Sequence, residues 1–247
     1  MTIKTDQEVR KIREAGRILA KTHELLISAL KSGISTKELD QIAEDFIRSQ
    51  GATPSFKGLY GFPASICTSI NEEVVHGIPS SKRKVKDGDI ISIDIGVCLD
   101  GFHSDGAKTI AIGEIADETK RLIEVTKQSF YEGIRYARAG NHLYEISAAI
   151  QNYVEANGFS VVRDLTGHGI GRKLHEEPQI PNFAVPGRGP KLVKGMVLAI
   201  EPMVNMGSYE VRILSDNSVI TRDGSLSAHY EHTIAITDGE PEILTIL

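Results

Sequence analysis

Between Ile90 and Ile112 the chain alternates with strand periodicity. Ile91, Ile93, Ile95, Val97 and Leu99 form one apolar set, and Ile90, Ser92, Asp94, Gly96 and Cys98 form the interleaved small or polar set. Asp100-Gly101 supplies a two-residue turn, so the stretch predicts a β-hairpin in which Leu99 faces Phe102, Gly96 faces Asp105 and Asp94 faces Ala107. Asp94 and Asp105 are then diagonal neighbours on one face, about 7–8 Å apart at the backbone. Both carboxylates could reach one cation or a pair of cations there. The hairpin alone fits a solvated face carrying two unrelated acids equally well.

Helical periodicity dominates elsewhere. Thr5-Asp-Gln-Glu8 is a capping-box pattern, and Val9, Ile12, Gly16, Leu19, His23, Leu26 and Leu30 follow at helical spacing, predicting a long helix from about residue 6 to Gly33. Ser35-Thr-Lys-Glu38 opens a second helix with Leu39, Ile42, Ala43, Phe46 and Ile47 on its buried side, closed by Gly51. Residues 52–66 read as loop and short strands, and 68–75 as one strand ending at His76-Gly77-Ile78-Pro79. Beyond the hairpin, Asp117 is the expected N-cap of a long helix reaching Gly140, followed by a shorter one through Leu143, Ile146, Ile150, Tyr153 and Val154 to Gly158. The clearest later strands are 196–204 and 230–236.

This order repeats. Gly33 and Gly140, Leu39 and Ile146, Phe46 and Tyr153, Ile47 and Val154, and Gly51 and Gly158 are each 107 positions apart, and the same offset carries Gly88 to Gly195, Ile93 to Ile200 and Asp94 to Glu201. After an insertion, His103-Ser-Asp105 corresponds to His229-Tyr-Glu231, and Thr109-Ile-Ala-Ile112 to Thr233-Ile-Ala-Ile236. The expected architecture is one domain over residues 1–247, made of two like halves, roughly 1–113 and 114–247, around a pseudo-twofold axis.

Composition narrows the function. Hydrophobic residues are 40%, charged residues 25%, and the net charge is −5, so no basic field invites nucleic acid. No window approaches the roughly 20 apolar residues of a bilayer span, and the N-terminus lacks a signal-peptide core, which predicts a cytoplasmic protein with no membrane partner. Cys67 and Cys98 lack the spacing of a disulfide framework or a cysteine zinc site.

If the halves pair, Asp94 and Asp105 meet Glu201 and Glu231 in the shared sheet. Four buried like charges need strongly raised pKa values or cations among them. His168, in Thr166-Gly-His-Gly-Ile-Gly171, is the natural nitrogen ligand because its flanking glycines let the backbone approach closely. Four acids and one imidazole suit two divalent cations about 3.5–4 Å apart, with cobalt, manganese, iron(II) or zinc compatible with the donor set.

Asn71-Glu-Glu-Val-Val-His76-Gly-Ile-Pro, Asp94 with Asp105, Gly167-His168-Gly-Ile-Gly, Leu174-His175-Glu-Glu-Pro, Ile200-Glu201-Pro-Met and Tyr230-Glu231-His-Thr resemble the type I methionine aminopeptidases over nearly the whole chain. The resemblance implies an α+β pita-bread fold, a pseudo-twofold antiparallel sheet backed by helices. By that resemblance Asp94, Asp105, His168, Glu201 and Glu231 are metal ligands, and Glu201 also takes the proton from the water whose metal-bridging hydroxide attacks the first peptide bond. His175 corresponds to the group that stabilises the oxyanion, and His76 to the one that bonds the scissile nitrogen. Leu59, Phe62, Cys67, Leu174 and Asn217 fall at the methionine-pocket positions. Three positions depart from the common pattern: Leu174 replaces Phe, Asn217 replaces Trp, and Gly106 replaces a Thr or Ser that could support the metal. The implied activity is excision of the initiator methionine before a small second residue. Its implied partners are nascent N-termini, with the ribosome as the setting, and its implied state is a monomer with no ribosome-docking extension before the first helix. A proline-specific relative and a non-catalytic peptide-binding relative are the alternatives; the latter would be expected to have lost ligands, and all five positions are filled.

Overall fold

The computed structural model describes residues 2–247. Helix α1 (Asp6–Ala29) begins as its capping box requires: the Thr5 hydroxyl accepts from the Glu8 N–H while the Glu8 carboxylate accepts from the Thr5 N–H. It ends at Ala29, before Gly33, because Leu30 turns extended. Helix α2 (Thr36–Ser49) starts with the equivalent Ser35–Glu38 box. The stripes of α1 and α2, Leu19, Leu26, Leu39, Ala43 and Ile47 among them, pack on Ile91, Ile93, Ile95 and Val97 of the hairpin. That accounts for the wholly apolar set of the first alternation.

The hairpin itself (Ile90–Leu99 with Phe102–Ala111) has the expected register, Leu99 opposite Phe102, Gly96 opposite Asp105 and Asp94 opposite Ala107. Asp100 and Gly101 both take positive φ, 50° and 76°, the backbone of a tight two-residue turn. The strand expected over 68–75 divides into Ile66–Ile70 and Glu73–Val75. Asn71 turns the chain at φ 56°, and the Glu73 carboxylate accepts from the Ile70 N–H at 2.7 Å.

Helix α3 (Asp117–Ile134) is capped by Ala116 rather than Asp117, and it stops well short of Gly140. Asp117 is instead the first helical residue, its carboxylate paired with Lys120 at 2.8 Å at the helix's positive end. Helix α4 (Leu143–Ala156) follows, and both helices pack over Leu198, Ile200, Val204 and Ile234.

The 107-residue offset persists in the backbone. Helices α2 and α4 have equal lengths of 14 residues in equivalent positions. Isolated bridges join Ser35 to Lys84 and His142 to Lys191, again 107 apart, and Gly33 and Gly140 both sit at strongly positive φ, 91° and 98°. The strand pairings among the described residues are antiparallel.

Two expected strands of the second half differ from the sequence reading. Residues 196–204 divide into Val197–Ile200 and Met203–Asn205, while within 230–236 only His232–Ala235 is strand, with Ser227–His229 a separate strand before it. Pro202 has no N–H to give the ladder, so pairing lapses there. Ile200 pairs with His232 and Met203 with His229, so counting inward puts Glu201 directly opposite Glu231. The halves meet at Ala107 and Glu231, which exchange both backbone hydrogen bonds at 3.2 and 2.9 Å. Flanking them, Thr233 Oγ1 accepts from the Asp105 N–H and donates to its carbonyl, and Thr109 Oγ1 does the same for His229.

Candidate metal centre

The ligand candidates are delivered by the strands on either side of that junction. Asp94 and Asp105 rise from the hairpin, and Glu201 and Glu231 from the gap in the second ladder. His168 comes from the strand Thr166–Gly169, which pairs with Val197–Ile200. Its two glycine neighbours are steric necessities: a Cβ at Gly167 would lie 2.4 Å from the Ala199 carbonyl oxygen and one at Gly169 2.3 Å from that of Glu177.

The His168 ring is held in one tautomer. Its Nδ1–H donates to the Gly169 carbonyl at 2.8 Å, leaving the Nε2 lone pair 3.7 Å from Asp105 Oδ2 and 3.6 Å from Glu201 Oε1. Those separations exceed a hydrogen bond. They are within the span of two donors that each lie about 2.0–2.2 Å from one cation.

The electrostatics call for such a cation. Burial drives the Asp94, Glu201 and Glu231 carboxyls well above their ordinary range, with repulsion from Asp105 next in each case. Burial likewise lifts Asp105 to about 8. Asp94 Oδ1 and Glu231 Oε1 are buried without a hydrogen-bond partner among the described residues. Orphaned carboxylate oxygens and neutral imidazoles are the donor set that divalent transition cations take, so the residues fit the group.

The centre forms the floor of a cleft of about 1420 Å³, and all twelve residues singled out in the sequence line it. Leu59, Phe62, Cys67 and Leu174 belong to one apolar cluster with Phe56 and Phe102. Burial raises the Cys67 thiol, so it serves as apolar wall. Asn217 lines the cleft at its exposed rim, at φ 68° in the turn between the strands Val211–Ile213 and Val219–Thr221. Asn tolerates that left-handed backbone better than a bulky residue does. Gly106 abuts the junction: a Cβ there would meet Leu19 Cδ2 at 3.2 Å and the Glu231 carbonyl at 3.3 Å.

His76 and His175 also face the cleft. Desolvation lowers the His76 imidazole, opposed by the Asn217 main chain, and lowers His175 to about 4, with His168 and His76 adding to the effect. Both rings are therefore neutral near pH 7, each with one N–H to donate. His175 meets the His168 ring edge-on at 4.5 Å between centroids and lies parallel to Tyr60 at 6.1 Å.

Two residues escaped the sequence reading. Tyr60 has a positive φ of 49° and is 85% exposed, so no periodicity marks it. His229 approaches Glu201 Oε2 and Glu231 Oε2 at 3.9 Å each. Its signal was present in the repeat, where it corresponds to His103.

A carboxylate and imidazole centre under an apolar-walled cleft, on a duplicated antiparallel sheet backed by helices, defines a metallohydrolase of the pita-bread fold. The model of metallopeptidase family M24 matches residues 10–238, and the chain belongs to that family. Among the relatives it resembles is a methionine aminopeptidase of Clostridium perfringens, 60% identical over 246 residues, which cover 99% of this chain and 98% of that one. Methionine aminopeptidase 1 of Bacillus subtilis is 60% identical over 243 residues, 98% of each chain. The solved structure of a methionine aminopeptidase from Thermotoga maritima superimposes with a TM-score of 0.98 at 40% identity, covering all of both chains.

Proposed function

We infer that the chain is a methionyl aminopeptidase, a metal-dependent hydrolase that removes the N-terminal methionine from polypeptides. The observation that carries this reading is the convergence of Asp94, Asp105, His168, Glu201 and Glu231 beside a cleft walled by Leu59, Phe62, Cys67 and Leu174. An apolar wall receives the methionine side chain, and the acids at the floor receive the free amino end. The reading further takes residues 1–247 as one catalytic domain, acting as a monomer in the cytoplasm on nascent chains at the ribosome, with a small second residue preferred.

Two divalent cations, cobalt, manganese, iron(II) or zinc, would be held by the five ligands and would supply carbonyl polarisation and an acidified water. The protein's own groups do the rest. Glu201 accepts the proton from the attacking water. The His175 N–H is aimed to stabilise the developing oxyanion, and the His76 N–H to bond the scissile nitrogen. Neutrality of both rings keeps them from repelling the cations.

The test is to strip the protein of metal, add back each cation singly, and assay Met-Ala-x against Xaa-Pro peptides. Rates on Met-Ala-x that vanish on stripping and return with metal are expected. Activity surviving complete removal, or preference for Xaa-Pro, would overturn the reading.

A further inference from the structure

Resting on the metal-centre reading above, we propose that His229 is a sixth ligand, its Nε2 binding the cation that Glu201 and Glu231 share. His229 is 1% exposed, and neither ring nitrogen has a hydrogen-bond partner among the described residues. Buried imidazoles without any partner are rare, because desolvating a polar group without compensation costs free energy.

The ring is aimed deliberately. His229 and Glu231 are two positions apart on an extended segment and so project to the same face. The Thr109 hydroxyl from the other half accepts from the His229 N–H at 2.8 Å and donates to its carbonyl at 2.9 Å, fixing the backbone from which the ring hangs. Pairing of His229 with Met203 fixes it from the other side.

The distances repeat those of His168. Nε2 of His229 stands 3.9 Å from one oxygen each of Glu201 and Glu231, against 3.6 and 3.7 Å from His168 to Glu201 and Asp105. All four exceed a hydrogen bond and fit donors that each sit about 2.0–2.2 Å from a common cation. Glu201 divides its oxygens, Oε1 toward His168 and Oε2 toward His229. Two groups of three donor atoms result, Asp105–His168–Glu231 and Glu201–His229–Glu231, each with atoms within 4.8 Å of one another. Glu231 belongs to both. The equivalent of His229 in the first half, His103, spends its Nδ1 on the Ser55 hydroxyl at 2.9 Å, so the orphaned imidazole is peculiar to the second half. A second nitrogen ligand shifts the centre's preference from manganese toward cobalt, iron(II) and zinc.

Proton NMR of the cobalt(II)-loaded protein in water tests this directly, because each coordinated imidazole contributes one strongly shifted exchangeable N–H. Two such resonances are expected, one lost in His168→Gln and the other in His229→Gln. Calorimetric titration of His229→Gln should show cobalt affinity falling by about tenfold to a hundredfold, the scale of a lost supporting group, with manganese affinity falling less. The resonance of His168 persisting in His229→Gln reports that the variant is folded. The count in the unsubstituted protein decides by itself: a single resonance, lost in His168→Gln, would overturn the role of His229 while sparing the metal centre. No shifted resonance at all would overturn both.

Discussion

The two halves share a plan and place their acids differently. In the first, Asp94 and Asp105 stand on uninterrupted ten-residue strands and are diagonal across a continuous ladder. In the second, Glu201 and Glu231 stand directly opposite one another where the ladder lapses beside Pro202. The shorter acids sit on regular backbone and the longer acids on broken backbone. A duplicated frame thus supplies two unequal pairs of carboxylates, and the inequality leaves room on the second side for His168 and His229. The pairs meet through Ala107 and Glu231, so moving either strand moves both sets.

The largest effect should come from the first pair. Asp105→Asn keeps shape and hydrogen-bonding reach but removes a charge that the centre needs. Turnover of Met-Ala-x should fall roughly 10³-fold or more, the scale of several kcal/mol of lost transition-state stabilisation. Melting of the metal-free variant at pH 9 should stay at or above that of the parent, since above its raised value of about 8 the parent's Asp105 carries a buried charge that the variant lacks. Near-normal rates would show that the diagonal pair is not catalytic and would break the comparison.

Metal removal separates the halves from their charge. With cations absent, burial holds Asp105 at about 8, far above the ordinary carboxylate value near 4. A raised folded-state pKa gives stability that is full below the unfolded value and lost as pH climbs through the folded one. Chelator-treated protein should therefore melt progressively lower from pH 5 to pH 9. Metal-loaded protein should run the other way over the acidic part of that range, because protons compete with cations for the same oxygens. Parallel curves would mean that cations do not occupy the cluster.

The threonine bridges test the seam. Thr233→Val strips the Asp105 backbone of two partners, and Thr109→Val strips His229 of two while also orphaning Ser92, which shares its hydroxyl at 2.8 Å. Each should cost about 1–3 kcal/mol in denaturant unfolding, the penalty of an unpaired buried polar group. Thr109→Val should cost the more. Equal and negligible costs would mean that the bridges are incidental to the pairing of the halves.

Much of this was legible in residue types. The hairpin register and the two capping boxes follow from local pattern, because strand alternation, helix caps and turn residues act within a few positions, and the 107-residue offset follows from matching residue types between the halves. What escaped were interruptions and long-range partners. Pro202 breaks a run that reads as continuously apolar, and Asn71 reverses a strand that reads as continuous. Asp117 looked like a cap, yet the cap position fell on Ala116. His229 matched His103 in the repeat, but only the fold reveals that Ser55 partners one ring and that no described residue partners the other. The acids and His168 stood out in sequence because four carboxylates brought together by symmetry demand compensation, whereas Tyr60 lies in a loop where no periodicity constrains it.

The smallest predicted effect concerns the cleft wall, to which the halves also contribute unequally. Leu59, Phe62 and Cys67 of the first half form an apolar cluster with Leu174 of the second, while Asn217 stands at the rim on a left-handed turn. Replacing Asn217 with Trp adds an apolar surface opposite that cluster. It should lower KM for methionine-initiated peptides and sharpen discrimination against shorter aliphatic first residues by about 1–3 kcal/mol at most, the worth of a methylene-scale difference in an apolar pocket. The same substitution puts a bulky side chain at φ 68°, which should cost about 1 kcal/mol of folding stability. Asn217→Gly relieves the backbone without adding a wall, so its melting temperature should hold while its selectivity stays that of the parent. If Asn217→Trp changes stability as expected but leaves the ratio of kcat/KM values for methionine and norvaline peptides untouched, the rim turn shapes the fold and not the pocket. Methionine selection would then rest on the first-half wall and Leu174 alone.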